Sequence, residues 1–254
     1  MSHGAKISVI VPTFNEEERI KRLLDSIKKQ TYKDYEIIIG DYNSTDRTIQ
    51  IAKRYGAIIT HAKKKGVAAG RNAALKKASG DILAFIDADY ILPRKLFGKV
   101  VWEFENDKKE NVIAIQPTSR PYMAEIPPGR KQDMLLLSRL INTSVRISFK
   151  LSLIPIAFGC IFFRSDAIRK TGRFNEKVLI AEDIELYSRV RKKYLLDGKI
   201  FKVMDYPVRI SYRRFVKEGV TKTLYTYVKE GAKAYINKKV TLYMNPVRNL
   251  NSFL

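Results

Sequence analysis

The sequence predicts an α/β fold with a mostly parallel central sheet flanked by helices, and three observations carry that reading. Short apolar runs alternate with helical patterns through the first half of the chain, as βαβ units require. Several of those runs end in carboxylates, the position where open α/β sheets gather their ligands. The 254 residues, 45% of them hydrophobic, suffice for one large domain or two small ones.

In chain order, strands are expected at Ile7–Val11, Tyr35–Asp41, Ala57–Thr60, Ile82–Ile86 and Val112–Gln116. Helices are expected between them at Glu16–Lys29, Thr45–Tyr55, Val67–Ser79 and Pro93–Asn106. Asn15 with Glu18 reads as an N-terminal cap for the first helix, Ser44 as a cap for the second, and Pro93 suits a first turn. The texture then changes. Pro117–Gln132 contains four prolines and no periodicity and reads as a long surface loop. A helix follows at Asp133–Lys150, then a strand near Ile156–Phe163, a helix at Glu182–Tyr194, and strands at Ile200–Met204 and Val208–Tyr212. From Val216 onward Val220, Leu224, Tyr227, Val228, Gly231 and Tyr235 recur at helical spacing among lysines.

Composition narrows the function classes. A single cysteine, Cys160, excludes an internal disulfide, and nothing argues for secretion. Two histidines, His3 and His61, are too few and too far apart for a zinc site. The longest uncharged stretch, Leu151–Phe163, is interrupted by Pro155 and Gly159 and is too short to span a bilayer. The net charge of +22 points to a polyanionic partner, either nucleic acid or an anionic membrane face. The excess is uneven: Lys53–Lys77 holds eight basic residues and no acid, which a solvated helix face explains.

The chemistry concentrates at strand ends. Asp81–Asp89 is an apolar run closing on Asp87-Ala88-Asp89, and burying unpaired carboxylates costs several kcal/mol, so packing does not explain the pair. Two such acids can hold a hard divalent cation that bridges phosphates. The first strand breaks at Pro12-Thr13-Phe14-Asn15-Glu16, and the second ends in Asp41 followed by Tyr42-Asn43-Ser44-Thr45-Asp46. Each alone reads as turn chemistry; three converging on one sheet edge read as a cleft.

Together these motifs, with Gly70-Arg71-Asn72 and Glu182-Asp183, resemble the inverting nucleotide-sugar glycosyltransferases of family 2, which have the GT-A fold. The resemblance runs from about Lys6 to Phe215. It implies a nucleotide-sugar-binding half (1–118), an acceptor and catalytic-base half (119–212) and a basic amphipathic helical tail (213–254). It further implies that Pro12, Thr13, Phe14, Glu16 and Arg71 line the nucleoside pocket and that Asp41 accepts a base N–H, from uracil or guanine alike. Asp87 would bond the ribose, and Asp89 would ligate Mg²⁺ or Mn²⁺ at the diphosphate. Asp183, with Glu182, would take the acceptor proton. The plain alternative for that last pair is a helix start complementing its dipole, worth about 0.3–1 kcal/mol.

Tyr42 and Tyr90 stand where many relatives carry further acids, and the Gln-x-x-Arg-Trp element of processive synthases is absent, which favours single sugar addition. The expected partners are a nucleotide-sugar donor and a glycan or lipid-linked acceptor. The tail either docks on the domain or lies on an anionic membrane surface, which would make the protein cytoplasmic and peripheral at the membrane face. A nucleotidyltransferase would show a Gly-rich phosphate loop after the first strand, which Pro12–Asn15 is not. Nucleic acid is not expected, because binding it needs no paired acids at strand ends. An inactive scaffold is disfavoured by the intact Asp87, Asp89 and Asp183.

Overall fold

The computed structural model describes residues 4–151, 159–178, 180–194 and 196–236. Its first half repeats strand and helix: β1 (Ile7–Thr13), α1 (Glu17–Lys28), β2 (Tyr35–Asp41), α2 (Thr48–Arg54), β3 (Ile58–His61), α3 (Val67–Leu75) and β4 (Ile82–Ile86). A short β5 (Tyr90–Ile91), α4 (Leu96–Glu105) and β6 (Val112–Pro121) follow. The second half holds α5 (Lys131–Lys150), β7 (Cys160–Arg164), α6 (Ser165–Thr171), α7 (Glu182–Tyr194), β8 (Ile200–Ile210), α8 (Arg213–Glu218) and α9 (Val220–Ile236).

One sheet runs through both halves in the order β3-β2-β1-β4-β7-β6-β8-β5. β1 to β4 pair in parallel, as do β6 and β8; β7 runs antiparallel to both its neighbours, and β5 antiparallel to β8. The register sets Thr13 opposite Asp41 and Asp41 opposite His61, so the polar ends of β1, β2 and β3 meet along one edge. Alternation along β1 divides the core between the two faces. Ile7, Val9 and Val11 pack with Leu23, Leu24 and Phe97 under α1 and α4. Ile10 packs with Phe85, Phe163, Ala74 and Leu186 under α3 and α7.

Several expectations are corrected. Pro117–Gln132 is not a loop throughout: β6 continues to Pro121 because β8 pairs with it across two irregularities, one at Pro117/Ser119. A break in regular pairing is where proline is tolerated in a sheet. Two single-turn 3-10 segments, Met123–Glu125 and Pro128–Arg130, fill most of the rest. The two late strands are one, β8, which runs through Pro207 and takes β5 as a second partner near its end. The expected strand start at Ile156 lies outside the described residues.

The helix starts also differ. Asn15 sits at φ 53° and does not cap α1; its side-chain oxygen accepts the Thr45 N–H at 2.8 Å instead. The first turn of α1 is capped from the neighbouring loop: Thr48 Oγ1 accepts the Glu16 N–H at 2.8 Å and Asp46 accepts that of Glu17 at 3.1 Å. Glu17 returns the contact by accepting the Arg47 N–H at 3.0 Å. Ser44 does not cap α2, which starts at Thr48 with its N–H on Asp46 Oδ1. Pro93 lies ahead of α4, where its carbonyl accepts the Leu96 N–H. The described part of the tail packs Val220 and Leu224 on the domain and leaves Val228 exposed.

Candidate active site

Gly70-Arg71-Asn72 organises the site, each residue by a different physical means. α3 lies so close to β2 that a Cβ at Gly70 would meet the Gly40 carbonyl oxygen at 2.5 Å, and one at Gly40 would meet that of Gly70 at 2.0 Å. This contact requires glycine at both positions. It sets Arg71, 1% exposed, beneath the strand ends, where one guanidinium nitrogen donates to Asp87 at 2.7 Å and another to Glu182 at 2.6 Å. Asn72 holds the loop ahead of α7: its amide donates to the Phe174 carbonyl and to Glu176, both at 2.9 Å, and its oxygen accepts the Phe174 N–H.

Asp87 and Glu182 therefore meet at Arg71 although 95 residues separate them in the chain. Asp87 leaves β4 with its N–H on the Gly159 carbonyl at 2.7 Å. Asp89 follows in the turn to β5, and its carbonyl accepts the Ser211 N–H. Burial, with the negative charges of Asp87 and Glu16, pushes the Asp89 carboxyl up to about 7, against the pull of Arg213 and Arg19. Glu16 is itself raised by burial, with Arg19 at 3.2 Å and Arg213 at 3.9 Å offsetting part of the cost.

Glu182 and Asp183 open α7 directly after Ala181, which sits at φ 63° in the left-handed region that alanine avoids. Glu182 is buried and braced by Arg71, whereas Asp183 is more open and accepts the Ile184 N–H at 2.8 Å. Burial raises both carboxyls, with Arg71 opposing. A raised carboxylate is a stronger proton acceptor, and Asp183 is the less buried member of the pair.

On the β1–β2 side, Phe14 stacks on Tyr42 with ring centres 5.2 Å apart, and Pro12 and Thr13 are buried behind them. The Tyr42 hydroxyl is pushed well up by burial and by the charges of Glu16, Asp87 and Glu182. Asp41, 2% exposed, is occupied within its own turn: Thr13 Oγ1, the Asn43 and Ser44 N–H groups and the Ser44 hydroxyl all donate to it. These bonds use the four acceptor positions a carboxylate offers. As it stands Asp41 builds the turn, and receiving a base N–H requires it to release one of these donors.

Pro12, Thr13, Phe14 and Asp41 thus form one wall; Asp87, Glu182 and Asp183 gather about Arg71, and Glu16 and Asp89 lie on the side of Arg19 and Arg213. Sequence reasoning quoted Asn72 within its motif without giving it a role, and it missed Gly159 and Arg213 as site residues. A Cβ at Gly159 would fall 1.8 Å from Asp87 Oδ2. A separate cavity of 810 Å³ along the outer side of α1, bordered by Arg22, Lys28, Lys29 and Arg94, includes none of these acids in its lining.

Among the described residues, no three His, Cys, Asp or Glu side chains are grouped to hold a metal ion unaided. The donor chemistry nevertheless fits a hard cation that keeps phosphate oxygens and water as its other ligands. Asp89 is an oxygen donor whose negative charge its surroundings resist, and a cation would reverse that cost.

A sequence profile described as Glycosyl transferase family 2 matches residues 8–172. The chain is 37% identical over 219 residues to a Bacillus subtilis protein named as a glycosyltransferase, EpsE, covering 81% of this chain and 75% of that one. It is 26% identical over 234 residues to the dolichol-phosphate mannosyltransferase of Pyrococcus furiosus, covering 88% of this chain and 62% of the relative. Among solved structures it is similar to the mannosyltransferase PcManGT of Pyrobaculum calidifontis, solved with GDP-Man and Mn²⁺. That likeness has a TM-score of 0.67 at 22% identity and covers 94% of this chain and 67% of the other.

Proposed function

We propose, from the premise that this chain belongs to glycosyl transferase family 2 and is a glycosyltransferase of the GT-A fold, that it moves one sugar from a UDP- or GDP-sugar to an acceptor hydroxyl with inversion. The observation that carries this reading is the joining of strand-end and helix-start acids through Arg71. The bridge joins Asp87 at the strand end to Glu182, the chain neighbour of Asp183, which supports a reading in which both sides act on one sugar.

Pro12, Thr13, Phe14 and Glu16 line the nucleoside side. Asp41 receives the base N–H in exchange for the Ser44 hydroxyl, and Asp87, positioned by Arg71, bonds the ribose. Asp89 would hold Mg²⁺ or Mn²⁺, which would supply charge neutralisation for the departing diphosphate. Arg19 and Arg213 add positive charge on the same side. The acceptor oxygen attacks the anomeric carbon from the face opposite the diphosphate. As that C–O bond forms, the bond to the diphosphate breaks, and the acceptor proton passes to Asp183. Glu182, held by Arg71, keeps the start of α7 in place for this transfer. The acceptor is a glycan or a lipid-linked sugar presented at a membrane surface. The dolichol-phosphate named for the Pyrococcus relative supports the lipid-linked option.

Calorimetric titration of a panel of nucleoside diphosphates with and without Mn²⁺ tests the reading. UDP or GDP is expected to bind the wild type in a Mn²⁺-dependent way that Asp89→Ala loses. No nucleotide binding by the wild type would sink the proposal. Asp183→Asn is expected to keep nucleotide affinity and lose transfer by roughly 10²–10⁴-fold, the usual range for a positioned base. Unchanged turnover would remove Asp183 from that role.

A further inference from the structure

α5 is apolar on two sides, and only one of them faces the protein. Met134, Leu137 and Ile141 pack with Tyr212 and Phe215, and Val145 and Phe149 enter the core beneath α7. On the outside Leu136 is 58% exposed, Leu140 59%, Ile147 48% and Leu151, just past the helix end, 60%. At 100° per residue their spacing holds these four side chains in a sector of roughly 60° along about 22 Å of helix. Isolated exposed leucines are ordinary, but four aliphatic side chains on one face, interrupted only by the exposed Thr143 and Ser144, mark a contact surface.

The surrounding charge indicates what covers it. Arg139, Arg146 and Lys150 follow one flank of the row. The acids nearby are Asp133 in the first turn of α5 and Asp205, which is 3.3 Å from Arg146 with both side chains largely in water. A second copy of the chain is a poorer fit, because antiparallel two-fold pairing of these rows would bring the two basic flanks together. An anionic bilayer accepts both features, aliphatic side chains in the acyl boundary and cations among the headgroups.

The position is also apt. Tyr212 and Phe215, which anchor α5, bracket Arg213, whose guanidinium lies 3.9 Å from Glu16 in the acid site. α9 covers the same small core with Val220 and Leu224 and leaves Tyr225 and Val228 exposed beside Lys222 and Lys229.

We propose that the outer row of α5, Leu136, Leu140, Ile147 and Leu151, docks this protein on an anionic lipid bilayer, with Arg139, Arg146 and Lys150 at the headgroups. The reason for docking, delivery of a lipid-linked acceptor, rests on the transfer reading; the docking itself does not.

The test is co-sedimentation of the full chain with sucrose-loaded vesicles of phosphatidylglycerol or phosphatidylcholine. Nucleotide binding is measured on every variant. The wild type is expected to partition onto phosphatidylglycerol and much less onto phosphatidylcholine. Leu136→Gln/Leu140→Gln/Ile147→Gln should lower partitioning roughly tenfold or more at low salt while nucleotide binding stays intact. Arg139→Gln/Lys150→Gln should weaken binding and flatten its salt dependence. If the triple variant loses its fold, Leu140→Gln alone should still give a several-fold fall. Wild-type indifference to phosphatidylglycerol, or leucine variants that bind as well as wild type, would overturn the proposal. So would a wild-type dimer in ultracentrifugation that the triple variant converts to monomer. Vesicle binding by a protein that binds no nucleotide would sink the transfer reading and leave docking standing.

Discussion

Asp87 takes up the volume that a side chain at residue 159 would need. The predicted 1.8 Å approach of a Cβ to Asp87 Oδ2 means that Gly159→Ala must displace the carboxylate that Arg71 holds. Overpacking of this sort costs about 1–3 kcal/mol. The variant is therefore expected to lose at least tenfold in transfer rate while remaining folded, since a misplaced reacting group is costly even at about 1 Å. Steady-state kinetics beside a thermal melt would check it, and full activity would show that the position of Asp87 is not critical. At this scale the acids were readable in the sequence because carboxylates at the end of an apolar run have no packing explanation. The part played by Gly159 and the anchoring role of Asn72 were not. Their roles depend on residues far away in the chain, Asp87 for one and Phe174 and Glu176 for the other. The sequence marked Asp41–Asp46 as turn chemistry but did not indicate that the turn and Thr13 would use all four acceptor positions of Asp41.

Between elements, Glu36 clasps three segments. Its carboxylate accepts the Ser8 hydroxyl of β1 at 2.6 Å, the Ser79 N–H ahead of β4 at 2.8 Å and the Lys6 ammonium at 3.1 Å. Burial alone would raise its pKa, but these donors outweigh burial and bring it down to about 2. A depressed carboxylate contributes stability above its unfolded pKa, near 4.5, and loses it as pH falls towards 2. Glu36→Gln should therefore be less stable than wild type at pH 7 by roughly 1–3 kcal/mol. The gap should narrow by about 2 kcal/mol at pH 3. Urea midpoints at the two pH values measure this; a gap independent of pH would mean that the charge is not what holds the clasp. The alternation that predicts β1 to β4 is local and was legible. β6 and β8 were misjudged because each is kept extended through its prolines by the other. The helix caps were misplaced because the loops ahead of α1 and α2 cap one another rather than themselves.

Across the whole molecule, Arg71 ties residues from both halves of the chain. Removing a buried cation from between two carboxylates leaves uncompensated charge, worth about 3–5 kcal/mol. Arg71→Ala is expected to lose that much in chemical denaturation. Arg71→Lys should recover little, because a point charge cannot reach two acids with the geometry of a planar fork. Recovery by lysine would show that charge alone suffices. The α/β class and the cleft edge could be read from periodicity and strand-end chemistry. The strand order could not, because nothing local in residues 160–164 says which neighbours they will choose. That choice has a temporal consequence. β7 enters between β4 and β6, both of which leave the ribosome before it. Until residue 164 has emerged, the growing chain carries two unmatched strand edges, and the Gly159 carbonyl that receives the Asp87 N–H is not yet in place. Nascent chains stalled short of that point are the ones a chaperone would have most reason to hold.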